Sequence, residues 1–193
     1  MLSIFSYIVY ALCLGLLVFM PVCAKRGQFN EDCFSADSFK GVKGFAAIGV
    51  LLHHISQDPA FAELKVLGFF NAIGFIFVGI FFFCSGYGLY KSYRVKKGYL
   101  DGFFAKRMLP ILVAIYVMNI LYVPFNIAMG YEKNALQWVL GVLGLILLND
   151  QGWFPIVIFI MYGAFLFAFK KFKRETGALL FVLLVALVQV AVF

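Results

Sequence analysis

Several stretches of this sequence are long, strongly apolar and free of charged side chains. Residues 2–24, 66–90 and 108–130 contain no Lys, Arg, Asp or Glu. Each exceeds the roughly 20 residues that an α-helix needs to cross the hydrocarbon core of a bilayer. Because lipid offers no hydrogen-bonding partner to the backbone, such stretches are expected to form transmembrane helices.

The composition supports the same interpretation. Of the 193 residues, 64% are apolar and 13% are charged, whereas soluble domains have about half and a quarter, respectively. A soluble fold of this length leaves too much surface in water to bury so many apolar side chains. We therefore predict an all-α, polytopic integral membrane protein that crosses its membrane several times. A bacterial plasma membrane is the expected location.

Four further apolar runs are shorter or interrupted. They cover residues 41–55, 135–148, 153–169 and 177–193. The run at 135–148 is too short to cross and suits a re-entrant or interfacial segment. The sequence thus predicts about six spanning helices and one short segment that does not cross. Residues 1–24 are predicted to be an extra N-terminal transmembrane helix that precedes the rest.

The net charge of +7 comes from basic residues in short runs between the apolar stretches. This arrangement argues against nucleic acid as a partner and for a role in membrane orientation. If residues 135–148 do not cross, the segments 25–43, 91–107 and 170–174 share one side. Of the 16 Lys and Arg residues, only Lys65 and Lys133 then lie opposite, which leaves 14 together. We expect that side to be cytoplasmic and the amino terminus to be outside.

The cysteines and the serine that follows one of them do not indicate a site. Four cysteines, two of which are Cys33 and Cys84, form no C-x-x-C pair and have no histidine at metal-ligand spacing, so no metal is expected. Ser85 would need a base within hydrogen-bond reach to act as a nucleophile. The small residues around it favour close helix packing instead.

Ionisable residues at membrane depth usually mark function or buried pairing. The pair His53-His54 is the best candidate, and Lys43 precedes His54 by eleven residues. On a helix this spacing places Lys43 and His54 on one face, roughly 16 Å apart along the axis. They can be two positions on one path, but a hydrogen-bonded packing role for the histidine is equally plausible. Asp58 could orient the His54 ring, although Pro59 disfavours helix there.

Four motifs in this sequence resemble those of the acyltransferase 3 family of integral membrane acyltransferases. That family carries a basic residue, usually Arg, ten intervening residues and then an essential His, and Lys43 and His54 match this spacing. Residues 77–89, FVGIFFFCSGYGL, resemble its second helix. Residues 103–110, FFAKRMLP, resemble the basic start of its third helix, and Trp153-Phe154 resembles the opening of a later helix.

The resemblance implies transfer of an acyl group, often acetyl, from cytoplasmic acyl-CoA to a hydroxyl of a cell-envelope carbohydrate or related acceptor. His54 would be the general base, while Lys43, Lys106 and Arg107 would contact the donor, whose CoA carries phosphates. Membrane anchoring is an equally plausible role for Lys106 and Arg107. Lys43 would provide a point charge where the family usually has a bidentate Arg.

The resemblance also bears on the extent of the domain. The family generally has about ten helices, and this chain stops within an apolar run. We therefore expect residues 38–193 to be an incomplete acyltransferase-3-like domain that lacks its C-terminal helices. Two alternatives remain open: a non-catalytic transport or scaffold protein for a lipid-linked sugar, and an inactive fragment.

Overall fold

The structure is a computed structural model that describes residues 4, 7–8, 11–13, 15, 27–28, 31–59, 67–149 and 152–192. In these ranges the chain forms helices and no strand, which confirms the predicted all-α class. The predicted first span at residues 2–24 lies mostly outside the described residues.

Six α-helices follow one another along the described chain. They are α1 (Ala36–Gln57), α2 (Gly68–Val95), α3 (Leu109–Ala128), α4 (Ala135–Val142), α5 (Trp153–Lys171) and α6 (Glu175–Val192). A short 3₁₀ turn, Glu31–Phe34, precedes α1, and a π-helical turn, Phe104–Met108, leads directly into α3.

Three helical segments of the described chain are long and apolar enough to cross a membrane: Gly68–Val95, Phe104–Ala128 and Trp153–Lys171. The six predicted crossings are not confirmed. At 22 residues α1 is long enough, but Lys40, Lys43 and the two histidines lower its mean hydropathy. The last helix, α6, is apolar but shorter.

The chain divides into two compact units, and the first consists of residues 1–92. In this unit α1 and α2 pack through small residues opposed to rings. The ring of Phe77 covers Gly49 so closely that an added side-chain carbon there would lie 2.6 Å away. Ala46 and Leu52 lie on the same buried face of α1, and Phe45 meets Phe77 edge-on.

The two ends of α1 follow from its sequence. Ser35 has an extended backbone and accepts a hydrogen bond from the N–H of Ser38 at 3.1 Å, which is the usual N-cap interaction. At the other end, Asp58 is extended (φ −69°, ψ 129°). The residue before a proline disfavours helical angles, so Pro59 ends the helix at this point.

The second unit consists of residues 93–193 and therefore contains the last three residues of α2. Its helices α5 and α6 form a hairpin in which Ala168 and Ala178 are completely or almost completely buried. The Tyr93 ring packs against Phe169 with centroids 4.6 Å apart. One guanidinium nitrogen of Arg94 lies 2.8 and 3.0 Å from the two carboxylate oxygens of Glu175.

The segment from α4 to residue 149 turns back towards α3. At eight residues, α4 extends about 12 Å, which is well short of a membrane crossing. Gly144, at φ +71°, allows the reversal, and the N–H of Leu145 donates to the Leu140 carbonyl at 2.8 Å. This is the Schellman ending of a helix. The re-entrant or interfacial interpretation stays a prediction.

Two buried amides of α3 hold this segment. Asn119 is fully buried, and its side-chain nitrogen donates to the carbonyl oxygens of Gly141 (3.1 Å) and Ile146 (2.9 Å). Asn126 donates to the carbonyl oxygen of Leu148 at 2.9 Å. Seven residues are two helical turns, so both amides lie on one face of α3. They satisfy carbonyls that the irregular backbone leaves without helical partners.

Candidate functional site

The helix α1 carries both Lys43 and His54. Lys43 is exposed and His54 is half-buried. Their eleven-residue spacing places them within about 20° of each other around the helix axis. Gly49, which the Phe77 ring covers, lies about 130° away from this pair around the axis, but the buried Ala46 lies only about 60–80° from it. The Lys43–His54 face therefore borders the buried face of α1 instead of lying opposite to it.

His53 is the histidine that joins α1 to α2. Its Nδ1 lies 3.0 Å from the carbonyl oxygen of Phe70, and its Nε2 lies 3.2 Å from the amide nitrogen of Gln57. A carbonyl only accepts and an amide N–H only donates, so these partners suit a neutral ring protonated at Nδ1. The ring also fills the space above Gly74, where a Cβ would collide with it.

His54 has a different environment from its neighbour. Its ring lies beside the His53 ring, with centroids 5.3 Å apart and planes inclined by 52°. No hydrogen bond joins the His54 ring to any part of the chain that the structure describes, Asp58 included. The imidazole nitrogens of His54 are therefore available to an external group, whereas both nitrogens of His53 are engaged.

Lys106 and Arg107 lie together in the π-helical turn that leads into α3, and both are exposed. The ammonium nitrogen of Lys106 lies 3.4 Å from the Asp101 carbonyl oxygen, a weak contact. The guanidinium of Arg107 lies over the Tyr99 ring, 5.9 Å from its centroid. π-Helical turns often occur at functional sites. This one presents two cations side by side with no carboxylate paired to either within the described residues.

The Tyr99 hydroxyl was not singled out by the sequence analysis. Its oxygen is buried and has no hydrogen-bond partner in the described chain, while its ring packs edge-on against Phe103. A buried hydroxyl without a partner is costly, and here it belongs to the residue that supports Arg107. Only its position within the basic segment 91–107 could have drawn attention to it from sequence.

The four predicted site residues fall into two pairs. Lys43 and His54 belong to the first unit, and Lys106 and Arg107 to the second. Each pair is brought onto one surface by its own helix. In the described ranges no three His, Cys, Asp or Glu side chains come close enough to hold a metal ion.

The amino-acid sequence of the chain matches the model of one protein family. The family model for the acyltransferase domain of the acyltransferase 3 family matches residues 37–193, which is most of the chain. The chain belongs to the acyltransferase 3 family. No curated protein and no solved structure matches it.

Membership of the acyltransferase 3 family confirms the resemblance deduced from the four motifs. Together with the three apolar helices, it identifies the chain in general terms as a membrane acyltransferase. All four candidate site residues lie within the matched range of the acyltransferase 3 model. Their individual roles stay predictions.

Proposed function

We propose that this protein transfers an acyl group, most simply acetyl, from cytoplasmic acyl-CoA to a hydroxyl of a cell-envelope carbohydrate. In this reaction His54 accepts the proton of the acceptor hydroxyl while the hydroxyl oxygen attacks the thioester carbonyl carbon. The carbon–sulfur bond then breaks, the CoA thiolate leaves, and the proton on His54 passes to the thiolate. The products are an ester and free CoA, so atoms and charge balance.

The different environments of the two adjacent histidines support this role for His54. A general base needs a free ring nitrogen within reach of the proton that it takes. Both ring nitrogens of His53 have partners at hydrogen-bonding distance, whereas the His54 ring has none within the described residues. His54 is also half-buried, and partial shielding from solvent favours a general base that accepts the substrate proton instead of exchanging it with water.

The cations suit the donor. The CoA moiety carries several phosphates, and Lys and Arg side chains form charge-assisted hydrogen bonds with phosphate oxygens. Arg107 keeps its guanidinium N–H groups free while its carbon lies over the Tyr99 ring. Lys106 lies one residue away and makes only a weak contact with a backbone oxygen. We assign donor phosphates to these two residues and a supporting charge to Lys43.

The test uses inverted membrane vesicles that contain the full chain, supplied with acetyl-CoA labelled in the acetyl group. Label recovered in the carbohydrate fraction measures transfer. His54→Ala should abolish transfer while membrane insertion is retained. Leu51→Ala serves as a matched control, since Leu51 is 59% exposed on the same helix. Continued transfer by the His54→Ala variant would show that His54 is not the base.

The donor-binding assignment needs a separate measurement. Arg107→Ala and Lys106→Ala should each raise the KM for acetyl-CoA by roughly ten- to a hundredfold, because each removes a charge-assisted hydrogen bond worth about 1.5–3 kcal/mol. The kcat should change little. Passage of an unmodified lipid-linked sugar across the membrane without acetyl-CoA would instead favour the transport alternative.

A further inference from the structure

A groove of about 350 Å³ runs along one face of α5. Five residues line it: Gly163, Leu166, Phe167, Lys170 and Lys171. Their spacing of three and four places them on a single face of the helix. The buried residues of α5 centre on roughly the opposite face, where Phe165 and Phe169 lie. The groove therefore opens away from the buried face of α5, and its Phe167 side adjoins α6, where the Phe181 ring lies 5.4 Å from the Phe167 ring.

The groove is apolar at one end and cationic at the other. Gly163 has no side chain, so the floor is low there, and Phe167 forms an exposed wall (53% of its surface). One to two turns further on, the exposed side chains of Lys170 and Lys171 close the groove at the end of the helix. A membrane-spanning helix places this apolar part against hydrocarbon and its end near the headgroups.

The positive charge at this end is not cancelled by the nearest carboxylate. Lys173 and Arg174 follow the two lysines, and the next residue, Glu175, is paired with Arg94. Because the opposite charges of Arg94 and Glu175 lie 2.8 Å apart, they largely cancel each other. Lys170 and Lys171 are not part of an ion pair within the described chain. They are left to interact with an anion from outside.

We propose that this groove binds one anionic phospholipid. An acyl chain lies over Gly163 beside Phe167, and the phosphate contacts Lys170 and Lys171. The distance along α5 from Gly163 to Lys170 is about 10 Å, which accommodates the upper part of an acyl chain. A small soluble anion would use the lysines but not the apolar groove. Because the apolar groove lies next to the two lysines, the site favours a molecule with both an apolar chain and a negative charge. This proposal does not depend on the proposed acyl transfer.

Spin-labelled lipids test the site in the full chain, reconstituted in phosphatidylcholine vesicles. A trace of labelled phosphatidylglycerol should show a larger motionally restricted fraction than labelled phosphatidylcholine. Replacing both lysines, Lys170→Ala with Lys171→Ala, should reduce this preference roughly fivefold per lysine, since each surface charge contributes about 1 kcal/mol. The matched control is Lys96→Ala with Lys97→Ala, which removes two exposed lysines that do not line this groove.

A second variant tests the apolar part of the groove. Gly163→Leu should fill the floor and lower retention of phosphatidylglycerol without a change in charge. A side-chain carbon at Gly163 would lie 3.5 Å from Met108 Cε, an ordinary contact. If the Lys96/Lys97 control loses the preference for phosphatidylglycerol to the same extent, the preference comes from the overall positive charge, and the proposed site is wrong. So would unchanged lipid retention in a folded Gly163→Leu variant, or protection of the groove by a second copy of the chain in cross-linking.

Discussion

The backbone N–H of Leu148 donates a hydrogen bond to Oδ1 of Asn119 over 3.2 Å, although the two residues are 29 positions apart. With the two bonds that its amide nitrogen donates, Asn119 serves three backbone groups of the segment after α4. An amide side chain is suited to this because it both donates and accepts. Three backbone groups of the irregular segment between residues 141 and 148 are therefore bound from one buried position of α3.

Loss of this amide should destabilise the second unit. Asn119→Leu leaves the Ile146 carbonyl and the Leu148 N–H without their partner, while the Gly141 carbonyl keeps its bond from the Gly144 N–H. Each buried unpaired group costs about 1–3 kcal/mol. Asn126→Leu leaves one carbonyl unpaired and should have a smaller effect. Asn71→Leu is the control, since Asn71 is exposed on α2. Unfolding by SDS titration in detergent measures the free energies, and equal values for Asn119→Leu and Asn71→Leu would contradict this role.

The contact between His53 and Gly74 predicts a coupled pair of substitutions. Gly74→Ala places a methyl group in the His53 ring, and overpacking of this kind costs typically about 1–3 kcal/mol. In a His53→Ala background the same change should cost much less, because the ring is gone. Gly79→Ala is the control on the same helix, since nothing lies near its added carbon. Additive effects in the double-mutant cycle would exclude the contact.

The ion pair at the start of α1 predicts a pH effect. The pKa of Asp37 is lowered by a hydrogen bond from Lys40 at 2.8 Å and by the lysine charge. Because the folded pKa lies below the unfolded pKa, the stabilisation is complete above the unfolded value. It is lost as the pH falls through the folded value. Lys40→Gln should return the Asp37 pKa towards its usual range in an NMR titration, and the effect on stability should be small because both groups are exposed.

Two glutamines predict opposite responses to substitution. Both amide atoms of Gln189 are buried and lack a partner in the described chain, so Gln189→Leu should raise the free energy of unfolding by about 1–3 kcal/mol. Gln137 exchanges capping-box hydrogen bonds with Asn134 at 2.8 and 3.0 Å. Gln137→Ala should lower the free energy of unfolding by about 1 kcal/mol. Destabilisation by Gln189→Leu would mean that its amide does have a partner in the membrane.

The apolar pattern was sufficient to predict where helices form, because a membrane allows little else for such stretches. The same pattern was not sufficient to predict how many of these helices cross the membrane, because lysines and histidines lower the mean hydropathy of α1. The Lys43–His54 spacing was sufficient to place both residues on one face. It did not reveal that His53 would occupy the contact with α2. That role depends on Gly74 and Phe70, which lie on another helix, and helical periodicity within α1 carries no information about them.

The pairing of Asn119 with the backbone after α4 was only partly predictable. A polar side chain in an apolar helix indicates a hydrogen bond to another element. Its three partners depend on the reversal at Gly144, a turn that the sequence does not define in detail. The Tyr99 hydroxyl gave no signal of this kind, because an aromatic residue in a basic loop is common at a membrane interface.

The π-helical turn at Phe104–Met108 determines the local geometry around Lys106 and Arg107. Such a turn accommodates one residue more than an α-helix over the same length. Removal of one residue, for instance Ala105, would restore α-helical geometry over the same length, so the segments on either side would keep nearly the same relative orientation. The helix beyond Leu109 would keep its register and its buried asparagines. A single-residue deletion at this turn would therefore alter only the turn that carries Lys106 and Arg107, while the apolar part of the helix stays in place.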